Sequence, residues 1–253
     1  MKVAVIGLGE AGSHFANDLA ELGVKVSGWD PELRYKLHPG VIFAGSNPEA
    51  VRNANIILSV NYASESKAIA RELVPYLEAS AVYCEMNTAA PSLKMAVEKI
   101  LQPSNVRFVD VAIMSPVPQS GIKVPLLASG PGAQALAEIS KPYHLNLNIL
   151  SEVTGEAAEN KLLRSIVFKG VSAVLGEAIA AGEKMGKQDY IRSQIKSILS
   201  CDEDMIDQFV KDTPLHAKRR KEEMEAVREM LKNKGLSYCM TSGTIKNLEQ
   251  LLK

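Results

Sequence analysis

The sequence predicts an α/β protein. Residues 1–152 read as an open, mostly parallel sheet interleaved with helices, and residues 153–253 read as an all-helical domain. Three observations carry this. The first thirty residues form a strand–turn–helix–strand unit. Strand and helix patterns then alternate for about 150 residues. From Thr154 onward no convincing strand remains.

The opening unit is the most informative stretch. Lys2–Ile6 (KVAVI) is a short apolar run rich in β-branched residues, so it reads as a buried strand. Gly7-Leu8-Gly9-Glu10-Ala11-Gly12 follows at once. A helical pattern runs through Phe15, Leu19 and Leu22 and stops at Gly23; Val24–Trp29 is a second strand, with Asp30 at its end. This is the Rossmann-type dinucleotide-binding fingerprint in its required context. Gly7 permits the tight turn, Gly9 lets a pyrophosphate approach the backbone, and Gly12 lets the helix pack on the strand. The helix start then offers free N–H groups and a positive dipole end to phosphates. Asp30 stands where a carboxylate accepts hydrogen bonds from the adenosine ribose.

Along the chain, Glu32–Leu37 reads as a short helix broken by Pro39-Gly40, and Val41–Phe43 as a short strand. Asn47 reads as an N-cap with Pro48 behind it. Asn55–Val60 is a clear strand, whose end, Ser59-Val60-Asn61, belongs on the ligand side of a parallel sheet. Ser64 is placed to cap a helix towards Pro75. Ala81–Glu85 is a strand tipped by Asn87-Thr88, which reads equally as a ligand-side tip or a helix-capping turn; Pro91 opens a helix to Leu101. Val106–Ala112 is a strand carrying Asp110. A loop with Ser115, two prolines and Gly121 follows, then strands at Val124–Ala128 and Leu145–Leu150 around a helix ending at Ser140. The helical domain opens with one long pattern over Gly155–Lys184, with Gly170, Gly176 and Gly182 inside it. Glycine disfavours a helix interior by ~1 kcal/mol relative to alanine, so three of them predict close backbone contact. Further helices read over Tyr190–Ser200, Asp202–Lys211, Pro214–Leu231 and Ser242–Leu252.

Composition narrows the function classes. The 253 residues carry 29 positive and 29 negative side chains, so no basic excess points to nucleic acid or anionic membrane. Met1-Lys2 runs into the first strand with no signal-peptide pattern, and no consecutive apolar run approaches the ~18 residues of a membrane span. Cys84, Cys201 and Cys239 are far apart and form no CxxC, which suits reduced thiols and a cytoplasmic location. His14, His38, His144 and His216 show no ligand spacing, so no protein-bound metal is expected. The long helix is apolar around more than one face, and a domain of about 100 residues struggles to bury that alone; a homodimer through these helices is the expectation.

A nicotinamide site also needs a group that moves a proton as the hydride moves. Lys161 is the candidate on position: it lies early in the long helix, just past the domain junction, with Ser165 one turn further on. On pattern alone a solvated helical lysine is the commoner reading. A resemblance changes that weighting. The chain is similar to the β-hydroxyacid dehydrogenase family, which includes 6-phosphogluconate dehydrogenase, and most of all to the branch with a short helical C-terminal domain. The opening GLGEAGSHFANDLAELG resembles GLGxMGxxMAxNLxxxG. Asp110-Val-Ala-Ile-Met-Ser115-Pro-Val-Pro resembles the substrate loop DAPVSGG without its double glycine, and Lys123–Gly132 resembles the short-domain branch. Gly155-Glu-Ala157-Ala-Glu-Asn-Lys161-Leu-Leu-Arg-Ser165 resembles GxGxxxKxxxN, with Ala157 for a glycine and Ser165 for the asparagine.

The resemblance implies NAD(P)-dependent oxidation of a β-hydroxy acid or reduction of its semialdehyde or keto form. Lys161 would be the acid/base, Ser115 would hold the anionic end, and Ser165 would hydrogen-bond the substrate. His216, Arg219 or Arg220, and Glu223 share a helical face; the branch resembles this stretch, so Arg220, with His216 beside it, is a candidate for a substrate carboxylate or phosphate. The alternative there is a solvated charged face. Asp30 favours NAD over NADP, although Arg34 one turn on could receive a 2′-phosphate. Rival readings are an imine reductase on the same fold, a flavoprotein, and a non-catalytic NAD(P)H-binding redox sensor.

Overall fold

The computed structural model describes all residues, 1–253. The chain divides into two compact units, Met1–Lys161 and Leu162–Lys253. The first unit is one eight-stranded sheet in the order β3-β2-β1-β4-β5-β6-β7-β8. Its strands are β1 Lys2–Ile6, β2 Lys25–Trp29, β3 Val41–Phe43, β4 Ile56–Ser59, β5 Val82–Glu85, β6 Arg107–Ile113, β7 Leu126–Ser129 and β8 Leu147–Ser151. All neighbouring pairs are parallel except β6–β7, which is antiparallel. Its helices are α1 Glu10–Glu21, α2 Asn47–Val51, α3 Ser66–Leu73, α4 Pro91–Leu101 and α5 Ala133–Ser140. Alternate residues of β1 enter two different cores. Val3 and Val5 pack with Phe15, Leu19 and Val111, whereas Ala4 and Ile6 pack with Ile57, Tyr83 and Val97. Both faces are therefore covered, as a parallel sheet requires.

The second unit is helical: most of α6 (Glu156–Lys184), then α7 Gln188–Leu199, α8 Glu203–Leu215, α9 Ala217–Asn233 and α10 Cys239–Gln250. Leu162, Met224, Val227, Ile245 and Leu248 form one core, and Leu175, Ile179, Ile195 and Ile206 another. The boundary between the units falls at Lys161, inside α6. The reason is that the first turn of α6 is fastened to the sheet.

Several local expectations are corrected. Glu32–Leu37 is not helical, because side chains claim its backbone: Asp30 Oδ1 accepts the Glu32 N–H at 2.8 Å and Asn17 Nδ2 donates to the Lys36 carbonyl at 3.1 Å. The cap of α2 is Ser46, whose Oγ accepts the Glu49 N–H at 3.3 Å; Asn47 is already helical. Helix α3 starts at Ser66 without a side-chain cap, after a turn in which the Glu65 N–H reaches the Tyr62 carbonyl, so Ser64 caps nothing. Pro214 ends α8 instead of opening α9, whose N-cap is His216. Of the three glycines in α6, only Gly182 is crowded, against Ile191; Gly170 and Gly176 face open space. Helix α6 is also long and apolar enough to cross a membrane by length and composition. Counting consecutive apolar residues missed this because single polar residues interrupt the stretch.

Candidate active site

The carboxyl ends of β1, β2, β4 and β5 carry the first half of the site. Gly7 has φ +96°, and a Cβ there would lie 2.3 Å from the Val60 carbonyl oxygen. A Cβ on Gly12 would lie 1.9 Å from the Gly7 oxygen. Both glycines are thus demanded by the loop itself. Gly9 differs: a Cβ there meets nothing within 4 Å. Gly9 is also the N-cap of α1 and supplies no side-chain acceptor, so the N–H groups of Glu10, Ala11 and Gly12 have no side-chain cap. Open space before uncapped helix amides fits an anionic phosphate group. Asp30 is fixed beside this cradle, its Oδ2 accepting the Leu8 N–H at 2.7 Å. Leu8 itself is buried core, so only its amide faces this site.

The tips of β4 and β5 form one polar network. Val60 N–H bonds the Ile6 carbonyl at 2.8 Å. Asn61 Nδ2 donates to Ser59 Oγ at 3.0 Å, and Asn87 Nδ2 donates to Asn61 Oδ1 at 3.0 Å and Ser66 Oγ at 3.1 Å. The Asn87 N–H donates to Glu85 Oε1 at 3.1 Å. Glu85 is wholly buried, and burial raises its pKa above the usual carboxylate value.

Lys161 meets this network. Its Nζ donates to Thr88 Oγ1 at 2.7 Å. The lysine and threonine share a narrow crevice with Asn87, Lys94, Asp110 and Ala158. Thr88 is therefore not a helix cap: α4 begins at Pro91 after Ala90, with no side-chain cap. Ser115 sits half-buried in the loop after β6. That loop is held by Asp18 of α1, whose Oδ2 accepts the Ile122 N–H at 2.7 Å.

Unit 2 holds the remaining predicted residues, of which Ser165 and Arg220 are buried. The Ser165 hydroxyl donates to Glu223 Oε1, and Lys169 Nζ reaches the same oxygen at 2.8 Å. Burial lowers the Lys169 pKa. Arg220 is not a solvated surface charge: its Nη1 donates to Thr213 Oγ1 at 2.6 Å and Ser172 Oγ at 3.3 Å, and its guanidinium lies 5.4 Å from the Phe168 ring centre. Ser165 and Arg220, the two expected substrate contacts, thus both have hydrogen-bond partners within unit 2. His216 is partly exposed at the start of α9. Lys94, Glu85 and Ser129 are the site residues the sequence analysis missed. The one signal available was a glutamate ending an apolar strand.

Comparison with known proteins follows this division. Residues 2–119 match the family described as the NAD binding domain of 6-phosphogluconate dehydrogenase. Residues 183–251 match a domain of unknown function, DUF1932. Residues 2–119 are thus similar to the nucleotide-binding domain of that family, and the rest of the chain is not covered by its model. The nucleotide-binding half of the chain is accordingly a nicotinamide-dinucleotide module. Among solved structures, a conserved hypothetical protein from Sinorhizobium meliloti 1021 superposes with a TM-score of 0.77 at 27% identity, covering 98% of this chain and 87% of that one. A 3-hydroxyisobutyrate dehydrogenase from Mycobacterium tuberculosis superposes with a TM-score of 0.76 at 13% identity, covering 98% and 92%. An imine reductase from Pseudomonas sp. gives 0.63 at 19% identity, covering 98% and 92%. At these last two identities the likeness is one of fold.

Proposed function

We propose that this chain is an NAD(P)-dependent oxidoreductase that moves a hydride between nicotinamide and a small β-hydroxy acid or its semialdehyde or keto form. The observation that carries the reading is the Lys161–Thr88 hydrogen bond of 2.7 Å, which sets an amine among the β5-tip residues on the nucleotide side of the sheet. The nicotinamide ring, when bound, supplies the hydride acceptor. Lys161 Nζ takes the hydroxyl proton in oxidation and returns it in reduction. Thr88 Oγ1 steers the amine, and the Ser115 loop, pinned by Asp18, receives the acid end of the substrate. A nearby general acid/base contributes typically 10²–10⁴-fold.

NAD is the proposed nucleotide. Asp30 is held in place by the Leu8 and Glu32 amides, and Arg34 is paired with Glu32 rather than turned to a 2′-phosphate. The proposed partner is a second copy of the chain. Leu163, Val167 and Val174 are exposed on α6 at spacings of one helical face, with Gly170 open between them. Val167→Glu is expected to shift sedimentation from dimer to monomer.

The test of function is a panel of small hydroxy acids and semialdehydes with NAD and with NADP, followed by reduced-nicotinamide absorbance. Lys161→Met is expected to abolish turnover of the responding substrate while NADH affinity stays unchanged. Full turnover by that variant would refute the assignment, as would a panel giving no turnover with either nucleotide.

A further inference from the structure

Glu85, Asp110 and Ser129 are direct neighbours across three strands. Glu85 pairs with Asp110 in the β5–β6 ladder and Asp110 with Ser129 in the β6–β7 ladder. Ser59 of β4 continues the row opposite Glu85. All four are 0% exposed. Strands covered on both faces normally run apolar, and buried polar groups require partners. At the Ser59–Glu85 end the partners are Asn61, Ser66 and Asn87. At the other end they are the backbone of α6.

Helix α6 begins without a side-chain cap of its own. The Gly155 carbonyl accepts the Glu159 N–H at 2.9 Å, which makes Gly155 the N-cap, and glycine has no side chain to offer. The sheet supplies the missing acceptors. Ser129 Oγ accepts the Ala157 N–H at 3.0 Å, and Asp110 Oδ2 accepts the Ala158 N–H at 2.9 Å. On its other oxygen Asp110 meets Lys94 Nζ at 3.1 Å. Lys94 comes from α4, has a side chain 1% exposed, and also donates to the Glu85 carbonyl at 2.8 Å. Lys94 Nζ also lies 3.8 Å from Glu85 Oε1, so this one buried amine faces two carboxyl groups, with Asp110 the nearer. Gly155 itself, at φ +101°, would place a Cβ 3.0 Å from Pro91, the first residue of α4. The starts of α4 and α6 therefore touch. Lys161 lies three residues past Ala158, on the same side of the helix. A long, flexible lysine can reach one atom reliably only from an anchored Cα.

We propose that Lys94 is a positioning residue for Lys161. Its ammonium holds Asp110 as a buried carboxylate, and that carboxylate, with Ser129, caps and aims the first turn of the helix bearing the acid/base. The inference rests on the reading of Lys161 given above, but its structural half can be measured without any substrate.

The experiment is amide hydrogen exchange by NMR on the full-length protein, with Lys94→Met and the double variant Lys94→Met/Asp110→Asn. In K94M the Ala157 and Ala158 amides are expected to exchange about tenfold faster, the size of a lost helix cap, while β6 amides keep their protection. In the double variant the asparagine carbonyl still accepts the Ala158 N–H and carries no charge, so exchange is expected to return to near the wild-type rate. With a substrate from the panel, kcat should fall in K94M and recover in the double variant at constant NADH affinity. Unchanged Ala158 exchange in K94M overturns the proposal, as does a double variant that exchanges as fast as K94M. If K94M does not fold, the comparison is D110N against the double variant. D110N takes from the buried ammonium its nearer carboxyl group, leaving only Glu85 at 3.8 Å, and must be the less stable of the two; equal stability overturns the proposal. Failure of the Lys161 reading shows separately, as normal amide exchange and full turnover in Lys161→Met.

Discussion

Gly9→Ala separates the fold from the ligand. The backbone at Gly9 has φ −65° and ψ −162°, an extended conformation open to any residue, and the added methyl meets no atom of the chain within 4 Å. Stability without nucleotide should therefore change by less than about 0.5 kcal/mol, the range of an unconstrained surface change. The same methyl occupies the space in front of the α1 amides. Hydrogen bonds from amides to a charged group contribute about 1.5–3 kcal/mol each, so losing one or two weakens binding by about 3 kcal/mol. That is on the order of a hundredfold in Kd. Gly12→Ala is the contrasting variant. Its Cβ would sit 1.9 Å from the Gly7 oxygen, so the loop must move even without nucleotide, and the gain of ~1 kcal/mol in helix propensity does not offset that. The assay is thermal unfolding of the free protein together with NADH titration by fluorescence. G9A should keep its Tm and lose NADH, and G12A should lose both. NADH binding by G9A within about threefold of the wild type would refute the phosphate cradle.

Three other outcomes follow from the same geometry. Burial raises the Glu85 pKa, so its contribution to stability is present at low pH and is lost as pH rises through that raised value. Glu85→Gln should match the wild type near pH 4 and become relatively more stable above it, gaining at most about 1.4 kcal/mol per pH unit in denaturant titrations. A difference independent of pH would contradict the assignment. Arg220→Ala strips Thr213 and Ser172 of a buried donor and Phe168 of a stacked cation, and should lower stability by about 2–3 kcal/mol by urea unfolding. Asp18→Ala removes the acceptor of the Ile122 amide, so limited proteolysis should cut the Ser115–Lys123 loop faster while Tm falls by only a few degrees.

Much of the first unit was legible because its signals are local. The glycine loop, the β1–α1–β2 unit and Asp30 are all set within thirty residues, and helix α4 runs from Pro91 to Leu101 as read. Misread stretches were those where a distant or unexpected side chain took over the backbone. Asn17 and Asp30 dissolve the expected helix after residue 31, and Ser46 displaces Asn47 as a cap. For Arg220 and Glu223 a substrate contact and a solvated face both stayed open, because helical spacing reports which residues share a side of a helix, not what that side meets.

By itself, then, the sequence determined the sheet, the nucleotide fingerprint and the candidacy of Lys161, since periodicity and turn chemistry act over a few residues. Only the tertiary structure decided what aims that lysine. The row from Ser59 through Glu85 and Asp110 to Ser129 exists because strand register puts residues 19 to 26 positions apart side by side. A charge buried in that row must find its partner there, and Lys94 and the uncapped start of α6 are the partners it finds.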